Sequence, residues 1–428
     1  MFGSFETGGL PDGGARVELQ GELMAFPDIR KRSGLIILAA LVLAWVCAAV
    51  LFPRPAQAKD RPHVVFINPG ATGEIFWSLV CQTMRAAADQ LDIDLVIETA
   101  ERDRGRMRQL ALSHLDVTDK PDVLVLVNEE QAGASLLEAA HAHGVNVLML
   151  INDVVVPESK RAGKPGTRLG NWIGSLVYNS RAMGQRLARA LGAFAERNGL
   201  GASGGGDVKE TKRPLVALFG DAITPGSIER NSGLHEVVAG GEYGLVVDHE
   251  LMAYWNKSKA QTLMGRALAH YARAGTPRPV GVWAANAAMA MGAIAALREA
   301  GMEPGVDIGV AAANWSPDAL NAVENGSMEV IEGGQYFSGA WAMVLLRDYF
   351  DGGGIAVDRQ QVLVEMSSID AGNISTFRKT IGAIIERRSF EDIDYSAFLV
   401  GPDGDAADYD FSLDALMNVV GTDLRTPG

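Results

Sequence analysis

At 428 residues the chain is too long for one small domain and calls for two lobes or more. Hydrophobic residues make up 48% of it, enough for sizeable cores. A net charge of −14 argues against nucleic acid as a partner.

The first readable segment is N-terminal. Arg30-Lys31-Arg32 precedes an apolar run from Leu35 to Phe52, followed by Pro53, Pro55 and Ala56-Gln57-Ala58. A basic stretch, an apolar stretch and an A-x-A site form the anatomy of a secretory signal peptide, cleaved to leave Lys59 first. The run is near the lower limit for a membrane span, so an uncleaved anchor is the rival reading. The sequence before Arg30 is Gly-rich and unpatterned, and Met24 would give a more ordinary start. The expected division is thus an extension over 1–33, then a signal peptide or membrane anchor over 34–58, with the rest in the periplasm. Removing residues 1–58, with five basic and five acidic side chains, leaves the net charge unchanged. Cys47 lies in the apolar run, and Ala44-Trp45-Val46 before it is a poor lipoprotein box. Cys81 is then left alone, so no internal disulfide can form, and it reads as core.

From His63 onward strand-like and helix-like stretches alternate, the pattern of parallel α/β layers. His63 to Ile67 is an apolar run of strand length, and Phe76 to Leu91 has helical spacing. Leu95 to Ile97, Val123 to Val127 and Val145 to Ile151 read as strands, with helices over Arg104 to His114 and Ala132 to His143 between them. A second series opens with a helix from Arg181 to Asn198 and a Gly-rich, charged loop from Gly199 to Arg213. Strands at 215–219, 245–247, 280–284 and 308–312 then alternate with helices at 228–239, 257–274 and 287–300. Helices at 317–325 and 338–350 complete it. Beyond Met366 the pattern is mixed, and Asp403 to Asp410 reads as an acidic, loose stretch. Two similar series suggest two Rossmann-like lobes with a ligand cleft between their strand ends.

Polar and aromatic residues recur at those strand ends. Phe76 and Trp77 open a helix after Asn68-Pro69-Gly70 and offer faces for a sugar ring or an ammonium group. Adjacent helix positions face different ways, so one of the two points into the cleft and the other packs in the core. Asp153 follows the fourth strand, where a carboxylate would accept hydroxyl hydrogen bonds, or cap a turn. Glu129 is a weaker candidate of the same kind. Arg230 falls in the first turn of the 228–239 helix, where the macrodipole disfavours a cation, so a ligand or carboxylate would explain it. An exposed arginine is the plainer alternative. Trp255 precedes the next helix, Asn286 and Asn314 end two strands, and Gln335 stands where Gly333 to Phe337 is placed to close the site.

Enzyme motifs are missing. The Gly-rich loop lacks the Gly-Lys-Ser/Thr of a phosphate loop, and there is no Gly-x-Ser-x-Gly elbow. His141 and His143 face different ways, and without His-Glu-x-x-His zinc chemistry has no support. No cofactor and no metal are expected, and the chain does not read as an enzyme.

Four stretches carry a resemblance: Phe76-Trp77; Ile173-Gly174-Ser175 with Asn179 and Gly184; Ser227 to Leu234; and Ala285-Asn286 with its Met-Ala-Met-Gly helix. In this order and spacing the chain resembles the type I periplasmic binding proteins, the family of ribose- and galactose-binding proteins and of lactose-repressor-like ligand domains, over roughly residues 61–365. The resemblance implies an α/β fold with two parallel-sheet lobes joined by a three-stranded hinge. It implies a first lobe over 59–174 plus about 334–363, a second over 175–333, and a return segment and tail over 364–428. By it, Phe76 and Trp77 are similar to the ring-stacking pair and Asp153 to the first-lobe carboxylate. Arg230, Asn286 and Asn314 are similar to the second-lobe polar contacts, and Trp255 to its aromatic. Asn314 stands where many sugar binders carry Asp, Ala287 where they carry Asp or Glu, and Gly333-Gly334-Gln335 fits their pattern poorly. The expected function is capture of a small polar ligand, a sugar or sugar-like molecule, by hinge closure and its delivery to an ABC transporter permease. The alternative partner is a membrane sensor such as a histidine kinase. A repressor is disfavoured because the signal peptide occupies the place of a DNA-binding domain.

Overall fold

The computed structural model describes residues 61–155, 158–201, 212–355 and 361–423. The expected signal peptide or anchor, and most of the Gly-rich loop, lie outside the described residues.

Two six-stranded sheets form the two lobes. The first holds β1 (His63–Asn68), β2 (Asp94–Thr99), β3 (Val123–Leu126), β4 (Asn146–Ile151), β5 (Trp172–Tyr178) and β11 (Gln361–Val364), in the order β11-β5-β4-β3-β1-β2. All its pairings are parallel. The second holds β6 (Arg213–Phe219), β7 (Leu245–Met252), β8 (Gly281–Ala284), β9 (Gly309–Ala313), β10 (Val330–Gly333) and β12 (Ser367–Asp370), in the order β12-β10-β9-β8-β6-β7. Here only β12 runs antiparallel. The inner strands are apolar throughout because helices cover both faces of such sheets; every residue of β3, β8 and β9 is buried.

Helices follow the strands: α1 (Ile75–Gln90), α2 (Arg104–Leu115) and α3 (Gly133–His143) in the first lobe, then α4 (Ser180–Arg197), α5 (Pro225–Ala239), α6 (Lys257–Ala274), α7 (Ala287–Glu299) and α8 (Pro317–Glu324) in the second. The loop side chains that start several of them are caps. Asp103, Asn179, Asn256, Asn286 and Ser316 each accept a backbone N–H from the first turn. Helix α9 (Ser338–Asp351) returns to the first lobe and packs on α1.

The chain crosses between lobes after Tyr178, after Gly333 and after Val364, which is the three-stranded hinge the resemblance implied. The boundary expected at 174 falls inside β5, and the one expected near 364 coincides with the end of β11. Beyond β12 the tail, mixed in its sequence pattern, packs on the lobes, and only the loose stretch expected at 403–410 is corrected. Phe377 lies edge-on to Trp315 of the second lobe, with ring centres 4.8 Å apart. Farther on, Phe398 and Phe411 pack at 4.6 and 4.7 Å from Trp341 of the first lobe. Gln90 donates to the carbonyls of Glu391 and Ile393 and accepts from Tyr395 N. The tail is a strap seated on both lobes. Even the 403–410 stretch is ordered, by a capping box between Asp405 and Asp408.

Candidate ligand-binding site

The carboxyl ends of both sheets face one cavity. The lobes touch beside it. Gly226 N donates to Asn152 Oδ1 at 3.1 Å, and Gln131 Nε2 to the Ile223 carbonyl at 3.3 Å. Backbone strain gathers at the same strand ends. Arg102, Ile151, Tyr254, Trp255 and Asn314 all hold φ between 53° and 76°. For the β-branched Ile151 this is a genuine outlier, and such strain persists where the surroundings over-determine it.

The first lobe's wall carries aromatic rings and a closed charge cluster. Trp77 is buried against Phe66 and lies flat on the Gly70 backbone, where a Cβ would collide with the ring. Phe76 is half-buried, edge-on to Trp77. Both line the cavity. Below them Arg102 joins two carboxylates: its Nε donates to Glu74 Oε2 at 2.9 Å and its Nη1 to Glu129 Oε1 at 2.7 Å. Burial pushes the Glu129 carboxyl up to about 7, with Arg102 pulling it down and Asp221, Glu74 and Glu130 adding to the rise.

The second lobe's wall is different. Helix α5 begins at Pro225, earlier than its spacing predicts, so Arg230 stands in the second turn rather than the first. Its Nη1 donates to the Ala285 carbonyl, its Nε has no partner, and its guanidinium carbon lies 5.7 Å from the centre of the Trp255 ring. Burial lowers its pKa to about 10, with Asp221 pulling the other way. Trp255 is fixed by its Nε1–H to Asp221 Oδ2 at 2.9 Å and by the Gly220 backbone under the ring. Asn286 caps α7 through Oδ1, at 2.8 Å from Met289 N, and its Nδ2 donates to the Trp255 carbonyl at 3.3 Å. One Nδ2 hydrogen is left for a ligand. Asn314 lines the cavity from the left-handed backbone conformation that Asn tolerates best after Gly. Gln335, at a hinge crossing, is 2% exposed; its Nε2 meets the Met366 sulfur at 2.8 Å and its Oε1 has no partner.

Seven of the eight expected residues therefore line one cavity: Phe76, Trp77, Arg230, Trp255, Asn286, Asn314 and Gln335. Asp153 lies elsewhere. Its Oδ2 accepts from Gln361 at 2.9 Å and its Oδ1 from Val154 N at 2.6 Å, in an adjoining recess beside β11 that shares Asn152, Tyr178 and Gly226 with the cavity. Its neighbour Asn152 faces the cavity instead, as does Glu129. Sequence reasoning missed Glu74, Arg102 and Thr224, the last with an unpartnered, buried Oγ1. The signal for Arg102 was its place just beyond β2, a strand end like the others. Among the described residues no group of three or more His, Cys, Asp or Glu is placed to hold a metal.

A family profile for the periplasmic binding protein domain matches residues 64–354. The crystal structure of a periplasmic sugar-binding protein from Pseudomonas fluorescens is 27% identical, over 83% of this chain and 99% of that one, with a TM-score of 0.68. A Caulobacter myo-inositol binding protein is 18% identical over 76% of this chain and 97% of its own, with a TM-score of 0.61. The periplasmic binding protein component of the arabinose ABC transporter from Shewanella sp. ANA-3 is 18% identical over 76% and 98%, with a TM-score of 0.60. The last two speak to the fold alone. No curated protein matches the chain.

Proposed function

We propose that this chain, which belongs to the periplasmic binding protein family, captures a small polyhydroxylated molecule, a sugar or cyclic polyol, between its lobes and delivers it to an ABC importer. The family is one of binding proteins rather than enzymes, in keeping with the missing catalytic motifs. One observation carries the reading. Three buried polar atoms on the cavity walls, Arg230 Nε, Thr224 Oγ1 and Gln335 Oε1, have no partner in the protein. A buried donor or acceptor left unmade costs about 1–3 kcal/mol, more for a charged group. A ligand bearing hydroxyls can satisfy all three, because a hydroxyl both donates and accepts. Phe76, Trp77 and Trp255 supply faces for the apolar side of a ring. The charged groups on the first wall bind one another, and the free Arg230 Nε on the second is a donor that a hydroxyl can fill. Phe76, Trp77, Arg230, Trp255, Asn286, Asn314 and Gln335 are the proposed contacts, joined by Asn152 and Thr224. Hinge motion about the three crossings opens and closes the cleft. The similarity to a periplasmic sugar-binding protein supports the sugar class.

The test is a thermal-shift screen against sugars, polyols and amines, followed by calorimetry on any hit. Ligand at about 100 times its Kd should add about 2.7 kcal/mol to stability and raise Tm. A hit confined to quaternary amines would overturn the sugar class.

A further inference from the structure

Continuous with the inner cavity lies a larger chamber that opens to solvent. Glu74, Phe76, Arg102, Trp255, Asn286 and Asn314 face both. Asn152 with Gly226 and Gln131 with Ile223, which touch across the lobes, do not line the chamber.

The two spaces differ in how much apolar surface they leave free. The inner cavity holds the unpartnered Arg230 Nε, Thr224 Oγ1 and Gln335 Oε1. In the outer chamber Trp315 Nε1 and the Tyr336 hydroxyl are also unpartnered, while several other polar side chains are engaged. Glu74 and Arg102 bind each other, Thr72 donates to Glu101, and Asn256 Oδ1 caps α6 at 2.9 Å from Lys259 N. Apolar surface stands free there as well. Ile75 is 47% exposed and Tyr254 56%, both lining the chamber beside Met291. The Tyr254 ring is held in place by Lys259, whose Nζ sits 3.8 Å from the ring centre. Large apolar side chains left in water at the mouth of a binding cavity gain most from an apolar occupant.

We propose that the ligand is bipartite: a polyhydroxylated ring in the inner cavity, carrying an aryl substituent that the outer chamber takes up, as in an aryl glycoside. The proposal rests on the sugar-capture reading above. Capture of a bare sugar would leave the chamber filled with water; an aryl group would displace that water from Ile75, Tyr254 and Met291.

The test is calorimetry of the protein with a panel of aldopentoses and aldohexoses and with the α- and β-phenyl glycosides of each. For the sugar that binds best, one phenyl glycoside should bind at least tenfold more tightly than the parent. Ile75→Asp and Tyr254→Ser should each cut that advantage to under threefold while leaving the parent sugar's affinity and the protein's Tm unchanged. Ile75 opens α1, where an aspartate suits the helix dipole, so the variant should fold. Phenyl glycosides binding no better than their parents would overturn the proposal and leave sugar capture standing. So would an advantage that survives both substitutions. Binding of neither sugars nor glycosides would overturn both.

Discussion

On the first lobe's wall of the cleft Arg102 is held between Glu74 and Glu129, whereas on the second lobe's wall Arg230 is buried with its Nε unmatched. Both are arginines near a strand end, both line the same cavity, and they have opposite electrostatic status. The first is complete without a ligand. The second carries a desolvation cost that nothing in the protein offsets in full, since Asp221 acts on it only at a distance. A matched pair shapes a wall, and an unmatched group is where binding energy can be recovered.

By that difference, Arg230→Met should separate binding from folding. Methionine keeps much of the packing against Trp255 and removes the buried charge. Ligand affinity should fall by about 2–3 kcal/mol, roughly a hundredfold, as for a lost charged hydrogen bond. Stability should hold or rise, because an apolar replacement of a buried ion is often neutral or stabilising. Calorimetry and denaturant unfolding on the same sample check both; unchanged affinity would remove Arg230 from the site. Arg102→Ala should do the reverse. It leaves Glu74 and Glu129 facing each other, so stability should drop by about 2 kcal/mol, tempered by the cluster's partial exposure. Equal losses of stability in the two variants would erase the contrast between the walls. Trp255→Ala comes next, with a loss of affinity of about 1.5 kcal/mol from the missing ring face. A loss confined to stability would assign Trp255 to packing alone.

The walls were not equally legible in the sequence. Trp255, Asn286, Asn314 and Arg230 stand out because each follows an apolar strand or opens a helix with strong spacing. Arg102 sits in Glu101-Arg102-Asp103-Arg104, a charge run that reads as solvated surface until folding places Glu129 against it. Asn152 and Asp153 are adjacent just past β4, and neighbours on extended chain point opposite ways, so the sequence alone could not say which faces the cleft. The βα alternation was legible almost to the residue where helices have apolar stripes. β5 was not, because Gly174 and Ser175 interrupt its apolar run, and β11 was not, because it is four residues long with Leu363 exposed at the sheet edge. The strap escaped altogether. Its anchors follow no period of 2 or 3.6, since they come from separate short turns: Phe377 packs on Trp315, Phe390 on Phe337, and Tyr395, Phe398 and Phe411 gather around Trp341.

The smallest expected effect is on pH dependence, and it again sets one wall against the other. Burial raises Glu129 to about 7 from its ordinary 4.5. Between those values the folded protein holds a proton that the unfolded chain has released, so stability falls as pH rises through the window. The contribution is fully present at the acid end and is lost as pH climbs through 7. Between pH 6 and pH 8 it should amount to about 1 kcal/mol. Glu129→Gln keeps the shape and removes the titration, so the pH slope of stability over this range should flatten. Arg230, lowered only to about 10, stays charged throughout and should leave the slope untouched when replaced by Met. Urea midpoints measured at pH 6, 7 and 8 for the three proteins decide it. A slope that persists in Glu129→Gln but vanishes in Arg230→Met would place the titrating group on the second wall and reverse the comparison.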